Sequence, residues 1–378
     1  MNTIQTSSKT VDRKSVLANV RSVVIKIGTN ALSDPQGRVD AALLAHFAEQ
    51  VAALVARKIQ VTMVSSGAIG AGMAELGVAR RPKDLPMLQA TAAVGQSILM
   101  NLFGAAFKPH GLHVGQMLIT RGDFEDKERY LNLRNCIDSL HRSRCVPIIN
   151  ENDSVTVAEI RFGDNDLIAA QVTSLLDADL LVLLSVVDGL LDGRGETVPI
   201  VRDMEDAAGN VDEGRKSDRG TGGMGSKLMA AGTVKKAGKP VVIANGKRPG
   251  VIVDLLEGVA TGTLIMPTGR KLSSHSRWIG LTARTKGTLV VDAGAEKALK
   301  ANKSLLASGI VAAAGEFESG DAVLITTQEG LPIARGLTHY DREEVDVIRG
   351  HKTSEFAALL KMETYYDEVI HRDDLVLE

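Results

Sequence analysis

Short apolar runs alternate with longer amphipathic segments over residues 20–266. Each run is rich in β-branched residues or leucine, is hydrophobic on both faces, and is followed by Gly, Ser, Asn or Asp, which is typical of strands buried in a parallel sheet. Between the runs, residues 41–58 and 88–107 place apolar side chains at helical spacing. The pattern predicts an α/β fold, a three-layer αβα sandwich with a mainly parallel central sheet. The predicted strands are 23–27, 61–64, 114–118, 146–149, 180–184 and 241–243.

The hydrophobic pattern changes near Thr268, where a polar stretch precedes several short, closely spaced strand candidates. Turn residues such as Glu-Ser-Gly-Asp separate these candidates, an arrangement that favours a small β-barrel-like module. The predicted strands of this module are 287–291, 309–312, 321–326 and 331–334. The predicted organisation is a mobile N-terminal tail over residues 1–18, the α/β domain over 19–270, a linker over 271–279 and the C-terminal module over 280–378.

Charge divides the chain at the same place. The chain has 378 residues, enough for two domains, and a formal net charge of −2. Residues 280–378 carry 11 Lys and Arg against 17 Asp and Glu, a net charge of −6, which leaves +4 on the remainder. The basic part suits anionic substrates, whereas the acidic module lacks the basic clustering that RNA binding requires. Nucleic acid is therefore not an expected partner.

Cysteine content and hydropathy bear on the location of the protein. Cys136 and Cys145 are too few for a disulfide framework, and their nine-residue spacing fits neither a zinc ribbon nor a redox pair. We predict that both are buried and that the protein resides in a reducing cytoplasm. The N-terminal residues lack the apolar stretch of a signal peptide, and the longest apolar run, residues 180–187, is too short to cross a bilayer. No membrane association is expected.

Residues 220–227 are the strongest candidate for phosphate binding. They read Gly-Thr-Gly-Gly-Met-Gly-Ser-Lys and lead into an amphipathic segment, residues 228–237. Glycines let backbone amides approach phosphate oxygens, and a following helix N-terminus adds positive potential. No strand precedes the G-x-G-x-x-G pattern, which excludes a dinucleotide fingerprint, and the Gly-Ser-Lys order differs from that of a Walker A loop. The alternative is a flexible surface loop with a solvated Lys227.

Polar residues follow several of the predicted strands. Lys26 lies inside the first strand, just before a glycine turn, and either extends to solvent at the sheet edge or faces an anion. Residues 65–72 offer hydroxyls and amides at a helix start, which suits a carboxylate or phosphate, or only a capped helix. Residues 150–153 and 163–166 add carboxylates and amides that either bind an ammonium group and orient lysines or, in the second group, cap the helix predicted over 167–175.

Seven segments of the α/β domain occur in a characteristic order. They are 24–29 (VIKIGT), 64–69 (VSSGAI), 94–96 (VGQ), 113–118 (HVGQML), 149–153 (INEND), 163–166 (GDND) and 220–227 (GTGGMGSK). In this order they resemble the amino-acid kinase family, and within it the enzymes that phosphorylate glutamate, while the C-terminal module resembles a PUA domain. The resemblance implies transfer of the ATP γ-phosphoryl group to the γ-carboxylate of L-glutamate, which gives L-glutamyl 5-phosphate for proline biosynthesis. It also implies ATP as co-substrate and Mg²⁺ bound mainly through ATP phosphates and water, with no metal site made by the protein.

The resemblance assigns roles to individual residues. Lys26 and Lys227 would be catalytic and contact the transferred and leaving phosphates respectively, with Asp166 holding both. The glutamate site would comprise Ser66, Gly67, Asn150, Asp153 and Asn165, with Asp153 at the α-ammonium group. The ATP site would comprise Lys26, Gly28, Ser185, Val186, Thr221, Gly222, Gly223, Met224, Gly225, Ser226 and Lys227. The family commonly has Thr-Asp where this chain has Ser185-Val186, so a carboxylate expected beside the nucleotide is missing.

The implied reaction suits these residue types. A glutamate side chain has a pKa of about 4.3 and is ionised at pH 7, so the nucleophile needs no general base. The transfer needs two anions to be aligned and their charge to be stabilised, which lysines and backbone amides provide.

Two alternative functions remain open. One is a related kinase acting on aspartate, acetylglutamate or a nucleoside monophosphate, although segments 64–69 and 149–153 favour glutamate as the acceptor. The other is an RNA-binding or regulatory protein acting through the PUA-like module. The resemblance further implies a homo-oligomer, a dimer or a tetramer, and the next reductase of the proline pathway as a partner.

Overall fold

The computed structural model describes residues 13–34, 37–155, 165–208, 223–269, 272–362 and 364–378. The chain folds into two compact units. The first comprises Met1–Arg121 and Asn132–Lys271, and the second comprises Gly122–Leu131 and Leu272–Glu378. Residues 1–12 of the predicted tail lie outside the described residues, whereas Arg13–Leu17 form a short helix with Leu17 buried.

The first unit contains an eight-stranded sheet. Its strands are β1 (Ser22–Ile27), β2 (Gln60–Ser65), β3 (His113–Ile119), β4 (Cys145–Glu151), β5 (Leu180–Ser185), β6 (Ile200–Val201), β7 (Val241–Asn245) and β8 (Thr263–Ile265). They lie in the order β3-β4-β2-β1-β5-β7-β8-β6, and every neighbouring pair is parallel except β7 with β8. All six predicted strands are present, so the prediction of a mainly parallel sheet is confirmed. The prediction lacks β6 and β8 because strands of two and three residues are too short to show a period.

The helices of the described residues are numbered in chain order. They are α1 (Arg13–Leu17), α2 (Thr29–Leu32), α3 (Ala41–Ala56), α4 (Ala68–Glu75), α5 (Leu85–Phe107), α6 (Gly122–Glu125), α7 (Lys127–Arg142), α8 (Asn165–Leu176), α9 (Met204–Ala208), α10 (Met224–Lys236), α11 (Val251–Leu256), α12 (Ser274–Arg277), α13 (Ala293–Lys300), α14 (Arg342–Ile348) and α15 (Phe356–Leu360). Aspartate side chains cap α3 and α5, the two helices predicted from the hydrophobic pattern. Asp40 accepts from the backbone amides at the start of α3, and Asp84 accepts from Met87 N at 3.0 Å at the start of α5. The cap at Asp84 explains why α5 begins three residues before the predicted start.

The two faces of the sheet carry different helices. Ile25 and Ile27 of β1 pack into a buried cluster with Phe47 of α3. Because side chains alternate along a strand, Lys26 lies on the opposite face. There it contacts Asp166 of α8, and α8 packs against α10. The sheet therefore lies between two helical layers, as predicted, and the lysine inside β1 faces the α8 layer.

Helix α5 is long and apolar enough to span a membrane, the only described helix that is. Its Leu99, Phe103 and Phe107 are fully buried in the core of the first unit. Its Gly95 lies so close to α4 that a Cβ atom there would stand 1.8 Å from the carbonyl oxygen of Ala68. These contacts identify α5 as a core helix of the α/β sandwich.

The second unit contains a separate five-stranded sheet. Its strands are β9 (Thr285–Val291), β10 (Ile310–Gly315), β11 (Ala322–Thr326), β12 (Pro332–Leu337) and β13 (Leu375–Leu377). The order is β10-β9-β11-β12-β13, and all pairs are antiparallel except β9 with β11. The four strands predicted for this part of the chain are present, and β13 is the additional one.

Residues 122–131 belong to the second unit although they lie far from it in sequence. Trp278, in a π-helical turn over Trp278–Thr282, donates a hydrogen bond from Nε1 to the carbonyl oxygen of Phe124 at 3.1 Å. Its ring centroid lies 6.4 Å from that of Tyr130. The single tryptophan of the chain therefore attaches this segment to the unit, an arrangement that no local pattern indicates.

The two cysteines differ from the prediction that both are buried. Cys136 is exposed, so the prediction is wrong for that residue, and Cys145 is half-buried. On α7 the buried positions are Tyr130, Leu133 and Ile137, spaced three and four residues apart along one face. Cys136 is next to Ile137 in sequence, so helical geometry turns it to another side. Among the described residues neither cysteine forms a disulfide.

Candidate active site

Four parallel strands bring the predicted site residues to one edge of the sheet. Ile27 at the end of β1 lies beside Ser65 of β2 and Leu184 of β5, and Val64 lies beside Ile149 of β4. The loops after these strands therefore leave the sheet together, in the crevice where open α/β sheets bind ligands. The ends of these strands and the loops that follow them carry the predicted residues Gly28, Ser66, Gly67, Asn150, Asp153, Ser185 and Val186.

Two lysines meet at one carboxylate in this crevice. Lys26 Nζ lies 2.6 Å from Asp166 Oδ1, and Lys227 Nζ lies 3.1 Å from Asp166 Oδ2. Asp166 is fully buried, and the two lysine side chains are 5% and 7% exposed. Ser226 Oγ also donates to Asp166 Oδ2, at 3.0 Å. The structure thus brings together the three residues that the sequence predicts to be catalytic.

The charge of Asp166 is maintained by the two lysines. Burial by itself raises the pKa of this carboxyl, but the charges of Lys26 and Lys227 and their hydrogen bonds outweigh burial and lower the pKa to about 2. Asp166 is therefore ionised at neutral pH. One carboxylate shared by two ammonium groups leaves an excess positive charge in a buried position, which is an environment that attracts phosphate.

Amide side chains form a second group beside the lysines. Asn165 Nδ2 lies 2.8 Å from Ser65 O, 2.8 Å from Ser66 Oγ and 3.1 Å from Asn150 Oδ1. Asn150 Nδ2 donates to Gln96 Oε1 at 2.8 Å. Because Asn165 and Asp166 are adjacent at the start of α8, this amide group and the lysine pair are held by the same helix turn.

Two other predicted glutamate-site residues occupy the same loops. Gly67 precedes α4 with φ +104°, a left-handed conformation that glycine adopts without strain. Asp153 lies two residues beyond β4 and is half-buried. Burial raises the pKa of Asp153, and the charge of Arg81 partly opposes that rise. The environment of Asp153 thus favours a cationic partner that would compensate its charge.

The structure describes part of the predicted ATP site. A Cβ atom at Gly28 would lie 3.4 Å from Leu184 O and 3.8 Å from Lys26 Nζ, so glycine keeps space beside the ammonium group. Gly223 precedes α10, whose first turn contains Met224, Gly225 and Ser226 and has no side-chain cap among the described residues. Amides of such a turn are suited to phosphate oxygens. Thr221 and Gly222, and Gly163 and Asp164 of the 163–166 segment, lie outside the described residues.

Ser185 and Val186 lie at the end of β5. Ser185 O accepts from Gly246 N at 2.8 Å, and the side chain of Val186 is 42% exposed. The nearby carboxylate of Asp188 accepts a hydrogen bond from Asn245 Nδ2 at 2.9 Å. The structure thus places an apolar side chain at Val186, where the family commonly has a carboxylate, and engages Asp188 with Asn245.

The match to family models covers both units. Residues 21–245 match the model described as the amino acid kinase family, and residues 287–360 match the PUA domain. The chain belongs to the amino acid kinase family. It is 41% identical to a glutamate 5-kinase of Caldanaerobacter subterraneus subsp. tengcongensis, over 94% of this chain and 97% of the relative. It is 42% identical to a glutamate 5-kinase of Citrifermentans bemidjiense, over 97% of this chain and 100% of the relative.

The solved structures that match this amino acid kinase are more distant from it in sequence. A carbamate kinase from Giardia lamblia bound to AMP-PNP is 18% identical, with a TM-score of 0.48, over 66% of this chain and 100% of that chain.

Sequence reasoning missed one residue that the structure places in the amide group. Gln96 is 7% exposed and holds Asn150, but the prediction gave it no role. The sequence did contain a signal for this residue, because Gln96 is the last residue of segment 94–96, one of the seven segments that resemble the family. A polar residue at a buried position of α5 needs a hydrogen-bond partner, and only the fold shows that the partner is Asn150.

Proposed function

We propose that this amino acid kinase transfers the γ-phosphoryl group of ATP to the γ-carboxylate of L-glutamate and forms L-glutamyl 5-phosphate. The observation that carries this proposal is the buried Lys26–Asp166–Lys227 group, with an amide cluster on the adjacent residue Asn165. The lysines supply charge for phosphates, and the amides supply donors and acceptors for an amino acid. The names of the full-length relatives support glutamate as that amino acid.

In the proposed reaction, an oxygen of the ionised γ-carboxylate attacks the γ-phosphorus, and the bond from phosphorus to the bridging oxygen of ADP breaks. The nucleophile carries no proton to remove, so the protein contributes position and charge. Lys26 stabilises the transferred group, and Lys227 stabilises the charge that develops on the leaving ADP. Asp166 keeps both ammonium groups directed to the same place, since each binds a different oxygen of its carboxylate.

The glutamate site of the proposal consists of Ser66, Gly67, Asn150, Asp153 and Asn165. Asp153 would bind the α-ammonium group, whose positive charge compensates the buried carboxylate. Ser66 and the amides would orient the chain of the substrate so that its γ-carboxylate lies toward the lysines.

We propose Mg²⁺ as the metal that accompanies ATP. The described residues include no group of three or more His, Cys, Asp or Glu side chains suited to a metal, and Asp166 is engaged with two lysines. These residues fit an ion held mainly by ATP phosphates and water. When bound, such an ion supplies charge neutralisation at the phosphates.

The purified protein tests this function in a coupled assay of ADP release. We expect turnover with L-glutamate and none with L-aspartate, N-acetyl-L-glutamate, carbamate or UMP. Hydroxylamine in the same reaction should trap the acyl phosphate as a hydroxamate, which distinguishes carboxyl phosphorylation from plain ATP hydrolysis. Turnover with another acceptor but not with glutamate would reject the proposal. The same panel with added proline tests for feedback inhibition.

The remaining predictions about location and partners belong to the same proposal. We place the protein in the cytoplasm, as a homodimer or homotetramer, and light scattering after gel filtration measures that state. Because acyl phosphates hydrolyse readily, we propose that the acyl-phosphate product is transferred directly to the next reductase of the pathway. A lack of association and of faster coupled flux with that reductase would count against it. The net charge of −6 on residues 280–378 argues against RNA as a partner.

A further inference from the structure

The side chains of Gln96, Asn150 and Asn165 form a chain of hydrogen bonds whose polarity is set by backbone groups at Asn150 and Asn165. The N–H of Glu151 donates to Asn150 Oδ1 at 2.9 Å, so the other end of the Asn150 amide must be its donor, Nδ2. That donor meets Gln96 Oε1 at 2.8 Å. At the other end, the carbonyl oxygen of Ser65 accepts from Asn165 at 2.8 Å, which identifies the atom there as Nδ2. The orientation of all three amides therefore follows from unambiguous backbone groups.

This polarity leaves one donor and one acceptor unsatisfied. Gln96 Nε2 and Asn165 Oδ1 are both buried, and neither has a hydrogen-bond partner among the described residues. Leaving a buried polar atom without a partner costs free energy, so such atoms in a native protein call for an explanation. The unsatisfied donor is Gln96 Nε2 and the unsatisfied acceptor is Asn165 Oδ1. The side chain of Asn150 lies between these two residues and is hydrogen-bonded to both.

A donor and an acceptor joined in this way match the two charged groups on the α-carbon of an amino acid. The acceptor Asn165 Oδ1 suits an ammonium group, and the donor Gln96 Nε2 suits a carboxylate. The γ-carboxylate of glutamate must lie at Lys26 and Lys227 for transfer, so the α-carboxylate is the one left for Gln96.

We propose that Gln96 is a substrate-binding residue that donates a hydrogen bond from Nε2 to the α-carboxylate of the amino acid. The proposal rests on the function proposed above and adds a specificity-determining contact to it. Gln96 selects a substrate with a carboxylate on the α-carbon, while its Oε1 holds Asn150 in the orientation that the amide chain requires.

Two substitutions separate the donor from the acceptor of Gln96. Gln96→Glu keeps the volume and an oxygen that accepts from Asn150, but it replaces the donor with a second oxygen. Gln96→Met keeps a similar volume and removes both. Asn101→Asp is the matched control, because it makes the same amide-to-carboxylate change at an exposed position of α5.

We expect Gln96→Glu to raise KM for L-glutamate at least about tenfold, the size of one lost hydrogen bond to a charged group. KM for ATP should stay near the wild-type value, whereas the melting temperature should fall because the new carboxylate is buried. Asn101→Asp should change none of these quantities. Gln96→Met should also raise KM for glutamate. If Gln96→Met does not fold, KM for glutamate in Gln96→Glu still tests the proposed contact.

The outcomes distinguish this inference from the proposed function. A wild-type KM for glutamate in Gln96→Glu would overturn the inference alone, because it would mean that Gln96 only holds Asn150. A change in melting temperature without a change in KM would overturn it as well, since that indicates a structural role. A wild-type protein without glutamate turnover would reject the proposed function, and this inference with it.

Discussion

Replacing Lys227 with Ala lowers kcat by roughly 10²-fold or more, because a preorganised charge at the transition state is lost. The side chain of Lys227 is 7% exposed, and its ammonium group is held 3.1 Å from Asp166. A charge in this position needs no reorganisation as negative charge moves to the leaving ADP. Water or a flexible side chain at the same place would have to reorient first, which is why the effect should appear in kcat.

Steady-state kinetics with glutamate and ATP measures this effect. Lys236→Ala is the matched control, since Lys236 is an exposed lysine of the same helix and should leave kcat within about twofold, as surface substitutions usually do. Near-normal kcat in Lys227→Ala would contradict the role proposed for this residue. A comparable loss in Lys236→Ala would show that the effect is not specific to the site.

Replacing Asp166 with Asn lowers the free energy of unfolding by about 3–5 kcal/mol, the usual cost of removing one partner of a buried ion pair. The two ammonium groups would lose their shared counter-ion, and they would repel each other in a buried position. The same change should lower kcat, because neither lysine would be directed to the phosphates. ATP should raise the melting temperature of Asp166→Asn more than that of the wild type, since phosphates replace the lost negative charge.

Chemical unfolding at neutral pH measures the loss of stability. Asp254→Asn is the matched control, because it breaks the 3.0 Å pair of Asp254 with Arg248, whose side chains are 32% and 41% exposed. Such surface pairs contribute about 0–1 kcal/mol. Equal losses in the two variants would contradict the special importance of the buried carboxylate.

The contribution of Asp166 to the free energy of unfolding also depends on pH, and it decreases as the pH falls. Its pKa is about 2 in the folded protein, against 3.8 for an ordinary aspartate. A carboxyl with a lowered pKa in the folded state stabilises the protein fully above its unfolded pKa, and this stabilisation is lost as pH falls toward the folded pKa. The stability difference between wild type and Asp166→Asn should therefore be constant above pH about 4 and shrink between pH about 4 and 2.

The fold class and the family were predictable because their signals are local. Strands buried on both faces, such as β1 and β5, are continuous apolar runs, and the helices between them show their own period. The family models confirm the predicted amino acid kinase family and PUA module, and the full-length relatives carry the glutamate 5-kinase name that the resemblance implied. The roles of the individual site residues and the bounds of the domains stay predictions.

Other features depend on contacts between distant parts of the chain, which no local pattern reports. Trp278 attaches residues 122–131 to the second unit through Phe124, and Cys136 is exposed because α7 buries another side. Gln96 has a role only because α5 brings it to Asn150 at the end of β4. In each case the residue type permitted several outcomes, and packing selected one of them.

The amino-acid sequence by itself determined that lysines, glycines, amides and carboxylates lie at the ends of the strands of a parallel sheet. It could do so because the hydrophobic period and the turn residues depend only on residues that are close in sequence. It left Lys26 with two possible environments, solvent or an anion. The tertiary structure decided between them: strand alternation turns Lys26 to the α8 face, and α10 brings Lys227 to the same carboxylate from 61 residues away. A buried charge needs a partner, and only the folded chain determines which one is near.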